Sequence, residues 1–142
     1  METASLWAKR SKDPHTQVGV VIIGSDDRVL SIGYNGAPNG FNDEFVPWER
    51  EALLEENTKY PYVIHAELNA ILNFKGLTSD LQGSTLYTTH FPCSECTKAL
   101  IQVGVKRVVY KTEVTNMDLL PSVVYELAEV CGVEIERFES ES

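Results

Sequence analysis

The chain has 142 residues, and 43% of them are hydrophobic, which is enough to fill one core. We therefore expect residues 1–142 to form one domain. Because 12 lysines and arginines stand against 21 acidic residues, the formal net charge is -9, which disfavours binding to the phosphate backbone of a nucleic-acid polymer. A small nucleotide stays possible, since a few cationic groups and backbone N–H donors suffice for it.

The hydropathy pattern and the cysteines indicate the compartment. No stretch approaches the roughly 20 continuous apolar residues of a bilayer crossing, and the first residues lack the apolar run of a signal peptide. We expect a soluble, cytoplasmic protein. Its three cysteines, Cys93, Cys96 and Cys131, cannot all pair with one another. In a reducing compartment a Cys-x-x-Cys pair indicates metal or redox chemistry rather than a disulfide.

The first part of the chain predicts a helix followed by a β-hairpin. Residues 2–11 are helix-prone, and residues 17–23 form a β-branched run typical of a strand buried on both faces. A short turn leads to residues 28–34, which we predict as the antiparallel return strand. Residues 35–40 contain the Gly, Asn and Pro of a shaped loop.

The rest of the chain alternates helices with strands. A helix starting at His65 has the apolar residues Leu68, Ile71 and Leu72 at helical spacing. The predicted helices are 47–57, 65–74, 94–103 and 118–130, and the predicted strands are 84–89, 107–110 and 133–138. Strands separated by helices favour parallel pairing, so the pattern predicts an α/β fold with a mixed five-stranded sheet and helices on its faces.

Two segments carry metal chemistry, His65-Ala66-Glu67 and Pro92-Cys93-Ser94-Glu95-Cys96. Together they match the H-x-E and P-C-x-x-C signature of zinc-dependent nucleobase deaminases. One imidazole and two thiolates suit tetrahedral Zn²⁺ with a position left for water. Each segment lies at the start of a predicted helix. At the start of the second helix, free N–H groups and the helix dipole favour the thiolate forms of the cysteines. We predict His65, Cys93 and Cys96 as zinc ligands.

Glu67 is the predicted proton carrier. Zinc lowers the pKa of a bound water to about 7, and a nearby carboxylate can take the proton and deliver it again. In this interpretation hydroxide attacks C4 of cytosine, and Glu67 protonates N3 and then the departing amine. The alternative is that Glu67 is an ordinary solvated glutamate of a helix.

The remaining histidines and the third cysteine have plainer interpretations. A closed structural zinc site would need a fourth ligand, and Cys131, His15 and His90 do not stand at zinc-finger spacing. We interpret Cys131 as a small buried hydrophobic residue. His90 directly precedes the metal segment, and it either faces the pocket or caps its entrance.

Three longer stretches resemble the deoxycytidylate (dCMP) deaminase family, within the cytidine-deaminase-like zinc deaminases. They are RSKDPHTQVG at residues 10–19, GYNGAPNG at 33–40 and TKYPYVIHAELNA at 58–70. The resemblance implies a three-layer α/β/α sandwich, hydrolysis of dCMP to dUMP for thymidylate supply, a homohexamer, activation by dCTP and inhibition by dTTP. It also implies roles for individual residues: Asn35 at the deoxyribose, Ala66, Lys12, Thr16 and Gln17 in substrate binding, and Tyr34 and Gly36 in effector binding.

The chain departs from the family pattern after the fourth predicted strand. Members often carry a tyrosine there, at the phosphate end of the substrate site, whereas residues 111–115 read KTEVT. A smaller side chain enlarges the pocket, so we hypothesise that dCTP is an additional substrate.

Two other functional classes compete with a nucleotide deaminase. A polynucleotide-editing deaminase should show clustered basic and base-stacking aromatic residues, and acidic residues dominate here. A non-catalytic nucleotide-binding module or zinc scaffold would not need Glu67. The sequence thus favours the deaminase.

Overall fold

The computed structural model describes residues 1–49, 54, 58–112, 114 and 116–139 of the chain. The predicted helix over residues 47–57 lies mostly outside the described residues. The remaining predicted elements are confirmed, with slightly different ends. In chain order they are α1 (Glu2–Ala8), β1 (Gly19–Ile23), β2 (Val29–Tyr34), α2 (Ala66–Asn73), β3 (Thr85–His90), α3 (Ser94–Gln102), β4 (Arg107–Thr112), α4 (Pro121–Cys131) and β5 (Glu134–Arg137).

The strands form a mixed five-stranded sheet in the order β2-β1-β3-β4-β5. β1 pairs antiparallel with β2 and with β3, while β3, β4 and β5 run parallel. The antiparallel hairpin closes through the Gly24 N–H, which donates to the Arg28 carbonyl at 2.8 Å. The parallel part is connected by α3 and α4, as crossover connections require. The predicted mixed sheet is confirmed.

Helices cover both faces of this sheet. Alternate residues of a strand point to opposite faces. Gly19 of β1 faces α1, because a Cβ there would lie 1.9 Å from the Ala4 carbonyl oxygen. Its neighbour Val20 faces the main core, to which strands, α2, α3 and the connections between them contribute. The other buried residues of this core are Ile22, Ala66, Ala70, Leu81, Leu86, Leu100, Val105 and Val108. The arrangement is the α/β/α sandwich expected from the resemblance.

Helix α2, which leads out of His65, packs very closely on β2. An ideal Cβ on Gly33 would lie 2.4 Å from the Ala66 carbonyl oxygen and 2.5 Å from the Ala70 nitrogen. Ser31 Oγ donates to the Ala70 carbonyl at 2.6 Å, which fixes the helix on the strand. The position of α2, and of the functional residues at its N-terminus, therefore depends on the missing side chain at Gly33.

We predict that Gly33→Ala lowers the free energy of unfolding by about 1–3 kcal/mol, because the added methyl group overpacks the contact with the α2 backbone. Chemical denaturation measures the change. Gly36→Ala is the matched control: a Cβ there meets no atom within 4 Å, so its unfolding free energy should change by less than about 0.5 kcal/mol. Equal destabilisation by both substitutions would contradict the packing argument.

The structure corrects one expectation about packing and shows which side of α2 is buried. Cys131 is exposed rather than buried, because it is the last residue of α4 and the chain turns away at Gly132, where φ is 74°. In α2 the small residues Ala66 and Ala70 face the core, so Leu72 is 64% exposed. Among the described residues, none of the helices combines the length and hydropathy needed to span a membrane.

Candidate active site and metal centre

The predicted ligands meet where two helices begin. His65 is the N-cap residue of α2, and Cys93 is the N-cap residue of α3. His65 Nδ1 lies 3.4 Å from Cys93 Sγ and 3.3 Å from Cys96 Sγ. The three ligand atoms lie within 4.8 Å of one another. Folding thus brings together residues that are far apart in the sequence.

This donor set fits zinc. One imidazole nitrogen and two sulfur atoms are typical zinc ligands, and three protein ligands leave the open position of a catalytic site. Among the described residues, no fourth His, Cys, Asp or Glu joins the cluster. His15, His90 and Cys131 therefore do not close it into a structural site. His65 is its exposed member, and Cys96 is buried.

Hydrogen bonds favour the thiolate form of Cys93, which binds a cation. The Cys96 thiol donates to the Cys93 sulfur, which lowers the pKa of Cys93 to about 4 despite partial burial. The same interaction raises the pKa of Cys96. The Cys96 backbone N–H, in the first turn of α3, also donates to Cys93 Sγ at 3.3 Å. A thiolate at Cys93 is thus stabilised by the free N–H groups of a helix N-terminus.

Glu67 lies beside the ligands but outside their cluster. It is in the first turn of α2 and only 4% exposed. Burial raises the pKa of Glu67 above its usual value, while the nearby His65 opposes this shift. A carboxyl group whose pKa is raised can hold a proton and release it closer to neutral pH.

His65, Cys93 and Glu67 line one cavity of about 550 Å³, a volume typical of small-molecule sites. Of the residues that the resemblance assigns to substrate binding, Thr16, Asn35 and Ala66 line this cavity. Lys12 and Gln17 are exposed and do not belong to the described lining. The lining residues outside the metal segments are Asp13, Thr16, Val18, Asn35, Lys59, Tyr60, Val63, His90, Phe91, Thr112, Val114, Asn116 and Leu119.

Asn35 shapes one side of the cavity. Its Oδ1 accepts a hydrogen bond from the Val18 N–H at 2.9 Å, and its Nδ2 donates to the Thr16 carbonyl at 2.9 Å. Gln17 Nε2 donates to the Ser11 carbonyl at 2.9 Å, so this side chain stabilises the loop. No described residue accepts from the second N–H of Asn35, which is therefore available to a ligand.

A buried ion pair in the cavity wall was not indicated by the sequence patterns. Lys59 Nζ contacts Asp13 Oδ2, and their side chains are 9% and 1% exposed. Asp13 Oδ1 also accepts hydrogen bonds from the backbone N–H groups of His15 and Thr16, at 2.8 and 3.2 Å. The pair connects the loop after α1 to the segment before His65. Both residues lie within the stretches that resemble the family, and this resemblance is the sequence signal that could have drawn attention to them.

We predict that Lys59→Met destabilises the protein by about 3–5 kcal/mol, because it leaves the Asp13 carboxylate buried without its partner. The double variant with Asp13→Asn keeps the side-chain oxygen for the two N–H groups and removes the stranded charge. Its unfolding free energy, measured by denaturant titration, should lie closer to that of the native protein. A double variant less stable than Lys59→Met alone would refute this account.

Tyr34 and Gly36, the residues that the resemblance assigns to effectors, lie outside the main cavity's described lining. Tyr34 lines a second cavity of about 270 Å³ between the loop after β2 and the outer side of α2. Gly36 forms an antiparallel bridge with Ile64. The remaining lining residues of this second cavity are Ala37, Pro38, Asn39, Ile64, Asn69, Leu72 and Asn73.

Comparison with known proteins agrees with this site. Deoxycytidylate deaminase of Pongo abelii is 43% identical over 138 residues, covering 97% of this chain and 76% of that protein. Its Homo sapiens counterpart is 49% identical over 113 residues, covering 80% and 62%. The structure of dCMP deaminase from the cyanophage S-TIM5 in complex with dCMP and dUMP superposes with a TM-score of 0.72 at 32% identity, covering 96% of this chain and 92% of that one.

The family model for the cytidine and deoxycytidylate deaminase zinc-binding region matches residues 1–112, which include both metal segments and Glu67. The donor set of the metal centre agrees with the zinc of that region. The chain therefore belongs to the cytidine and deoxycytidylate deaminase family.

Proposed function

We propose that this protein is a zinc-dependent hydrolytic deaminase that converts dCMP to dUMP and ammonia, and so supplies dUMP for thymidylate synthesis. The observation that carries the proposal is the position of Glu67, buried beside the His65, Cys93 and Cys96 cluster and opening into the same cavity. The choice of dCMP is supported by the names of the relatives and by the dCMP and dUMP bound to the cyanophage enzyme.

The proposed roles follow from the atoms available. His65 Nδ1 and the two cysteine sulfurs would hold Zn²⁺, which supplies a Lewis acid that makes water reactive near neutral pH. Glu67 takes the two protons of the water in turn and delivers one to N3 of the cytosine ring and the other to the exocyclic amine. The C4–N bond breaks, the water oxygen becomes O4 of uracil, and ammonia leaves. Asn35, Thr16 and Ala66 position the nucleotide from the cavity wall.

A substrate panel tests this proposal. The zinc-loaded protein is incubated separately with dCMP, cytidine, guanine and a cytosine-containing single-stranded oligonucleotide, and the products are separated by chromatography. We expect dCMP to be the preferred substrate by kcat/KM. Preference for the oligonucleotide would instead support a polynucleotide-editing enzyme, and absence of any turnover would support a binding module.

The second candidate substrate is dCTP. The end of β4 contributes Thr112 to the described cavity wall, and the segment after β4 contributes Val114, Asn116 and Leu119; these side chains are smaller than tyrosine. A triphosphate would need the extra space on this side. Turnover of dCTP to dUTP in the same assay would establish dual specificity, whereas turnover of dCMP alone would remove this candidate.

The proposed function includes regulation by nucleotides and assembly into a homohexamer. We assign activation by dCTP and inhibition by dTTP to the second cavity, with Tyr34 in its wall and Gly36 beside it. A homohexamer would cover exposed apolar side chains such as Leu72 and Leu77, which are 64% and 71% exposed. Initial rates measured with and without each effector test the regulation, and light scattering tests the homohexamer. The free thiols of the metal centre suit a reducing cytoplasm.

A further inference from the structure

A chain of polar contacts runs along one wall of the main cavity, from the buried pair of Asp13 and Lys59 to Asn35. All three residues line this cavity. Neither Asp13 nor Lys59 belongs to the metal cluster, and both side chains are almost completely buried. We propose that Asp13 and Lys59 are positioning residues that hold the Asn35 amide in its orientation toward the nucleotide. This inference rests on the proposed function, in which Asn35 contacts the substrate.

Asp13 fixes the backbone of the loop that follows it. Its Oδ1 accepts hydrogen bonds from the backbone N–H groups of His15 and Thr16, at 2.8 and 3.2 Å. An aspartate that accepts from an N–H group two residues further along the chain forms an Asx turn, which holds the intervening backbone in one conformation. The direction of the Thr16 carbonyl is therefore set by the Asp13 carboxylate.

The Thr16 carbonyl is one of the two contacts that orient Asn35. It accepts a hydrogen bond from Asn35 Nδ2 at 2.9 Å, and the Val18 N–H donates to Asn35 Oδ1 at 2.9 Å. An amide turned by 180° would bring its NH₂ group against the Val18 N–H and its oxygen against the Thr16 carbonyl, so both contacts would be lost. The two contacts thus permit a single orientation, in which Nδ2 keeps one hydrogen for the nucleotide.

Lys59 joins this loop to the segment that leads into α2. Its Nζ contacts the second carboxylate oxygen of Asp13, Oδ2. Further along the same segment, Ile64 exchanges two backbone hydrogen bonds, of 2.8 and 3.2 Å, with Gly36, the residue after Asn35. The loop and Asn35 are therefore both attached to this segment, the loop through the ion pair and Asn35 through the neighbouring bridge. Their relative position depends on both attachments.

The stability of the fold does not by itself require an ion pair at this place. Desolvation of two buried charges largely offsets their attraction, and apolar side chains of similar volume often stabilise a protein equally well or better. An ion pair differs from an apolar contact in being directional. Any slip of the loop would separate Lys59 Nζ from Asp13 Oδ2 and leave two buried charges without partners, at a high cost in free energy. The pair therefore fixes the position of the loop that orients Asn35.

Steady-state kinetics of the zinc-loaded protein with dCMP tests the inference. Lys59→Met combined with Asp13→Ala removes both the ion pair and the acceptor of the Asx turn, and it strands no charge. We expect KM to rise by at least about tenfold and kcat to stay within about threefold, because Asn35 contributes binding rather than proton transfer. Zinc content should not change. Lys59→Met combined with Asp13→Asn restores the acceptor, so KM should recover by at least about threefold.

Asp26→Asn is the matched control for these variants. Asp26 also accepts a hydrogen bond from a backbone N–H two residues further on, that of Arg28 at 3.2 Å, and its carboxylate lies 3.4 Å from the Arg28 guanidinium. This pair is exposed and lies outside the described cavity lining. Its KM and kcat should equal those of the native protein.

Asn35→Ala tests whether the pair acts through Asn35. Residues that act through one network have non-additive effects, whereas the effects of independent residues multiply. Removal of the pair by Lys59→Met and Asp13→Ala should therefore change KM by less than about twofold once Asn35 is alanine. A further tenfold rise in that background, or loss of zinc when the pair is removed, would show that the pair acts on another part of the site and would overturn the inference.

Solvent exchange of the Asn35 side-chain amide, measured by NMR, does not depend on how well Asn35→Ala folds. We expect removal of the pair by Lys59→Met and Asp13→Ala to speed this exchange by at least about tenfold, because the contact with the Thr16 carbonyl opens more often. Asn69, whose Nδ2 donates to the Tyr34 carbonyl at 2.8 Å, is the reference in the same spectrum and should keep its rate. An unchanged rate for Asn35 would refute the positioning role.

The outcomes separate this inference from the proposed function. If dCMP is deaminated but neither KM nor the exchange of the Asn35 amide responds to removal of the pair, the positioning role is wrong and the deaminase stands. If no nucleotide is deaminated but removal of the pair both weakens dUMP binding, measured by calorimetry, and speeds the exchange, the positioning role stands and the proposed activity fails.

Discussion

Replacing Glu67 by glutamine should lower kcat for dCMP by at least about a thousandfold while the protein keeps its zinc. General acid–base catalysis by one side chain typically contributes 10²–10⁴-fold, roughly, and here Glu67 is assigned every proton transfer. Glutamine has nearly the same size and hydrogen-bonding reach as glutamate but cannot carry the proton. Glu67 lies outside the ligand cluster, so metal content should not change.

The measurement combines steady-state kinetics with metal analysis of the same preparation. Glu126→Gln is the matched control, because Glu126 is exposed on α4, and its kcat should equal that of the native protein. Near-normal turnover in Glu67→Gln would show that another group moves the proton. Loss of zinc together with activity would show instead that Glu67 helps to hold the metal.

Replacing Cys93 by alanine should weaken zinc binding by more than about a hundredfold. Loss of a residue that only hydrogen-bonds to a metal ligand already lowers metal affinity by roughly 10–100-fold. Stability should follow, because binding of zinc to the folded state alone stabilises it. At a free zinc concentration a hundred times the Kd, the stabilisation is about 2.7 kcal/mol, and we expect Cys93→Ala to lose it.

Thermal unfolding with and without added zinc checks this prediction. Native protein and Cys131→Ala, which removes an exposed thiol away from the cluster, should both melt at a higher temperature when zinc is added. Cys93→Ala should show no such shift. A folded Cys93→Ala protein that retains a full complement of zinc would refute the ligand assignment.

The candidate site was largely predictable because its proposed ligands lie in short local sequence motifs. His65 and Cys93 each precede a helical stretch, and the structure confirms them as N-cap residues of α2 and α3. The convergence of these two helix starts also follows from strands that feed into helices on one sheet. Glu67 lines the same cavity as His65 because both residues stand at the N-terminal end of α2, His65 as its N-cap residue and Glu67 in its first turn.

Features that depend on tertiary contacts were not predictable in the same way. The Asp13 and Lys59 pair joins residues 46 positions apart, and nothing in either local sequence distinguishes a buried lysine from a solvated one. The side of α2 that faces the core was also hard to predict, because Leu68 and Leu72 stand at helical spacing and suggest an apolar face that is in fact exposed. Close approach to Gly33 selects the small residues Ala66 and Ala70 instead, and so leaves Leu72 exposed.

The measurement that tests the central claim most directly is the stoichiometry of the reaction with dCMP. Zinc-loaded protein is incubated with dCMP, dUMP is quantified by chromatography, and ammonia is quantified in the same samples, with chelator-treated protein as the control. We predict one ammonia for each dUMP formed, and activity that disappears with the metal and returns when zinc is added. No dUMP from fully zinc-loaded protein, or equal activity after the zinc is removed, would contradict the proposal.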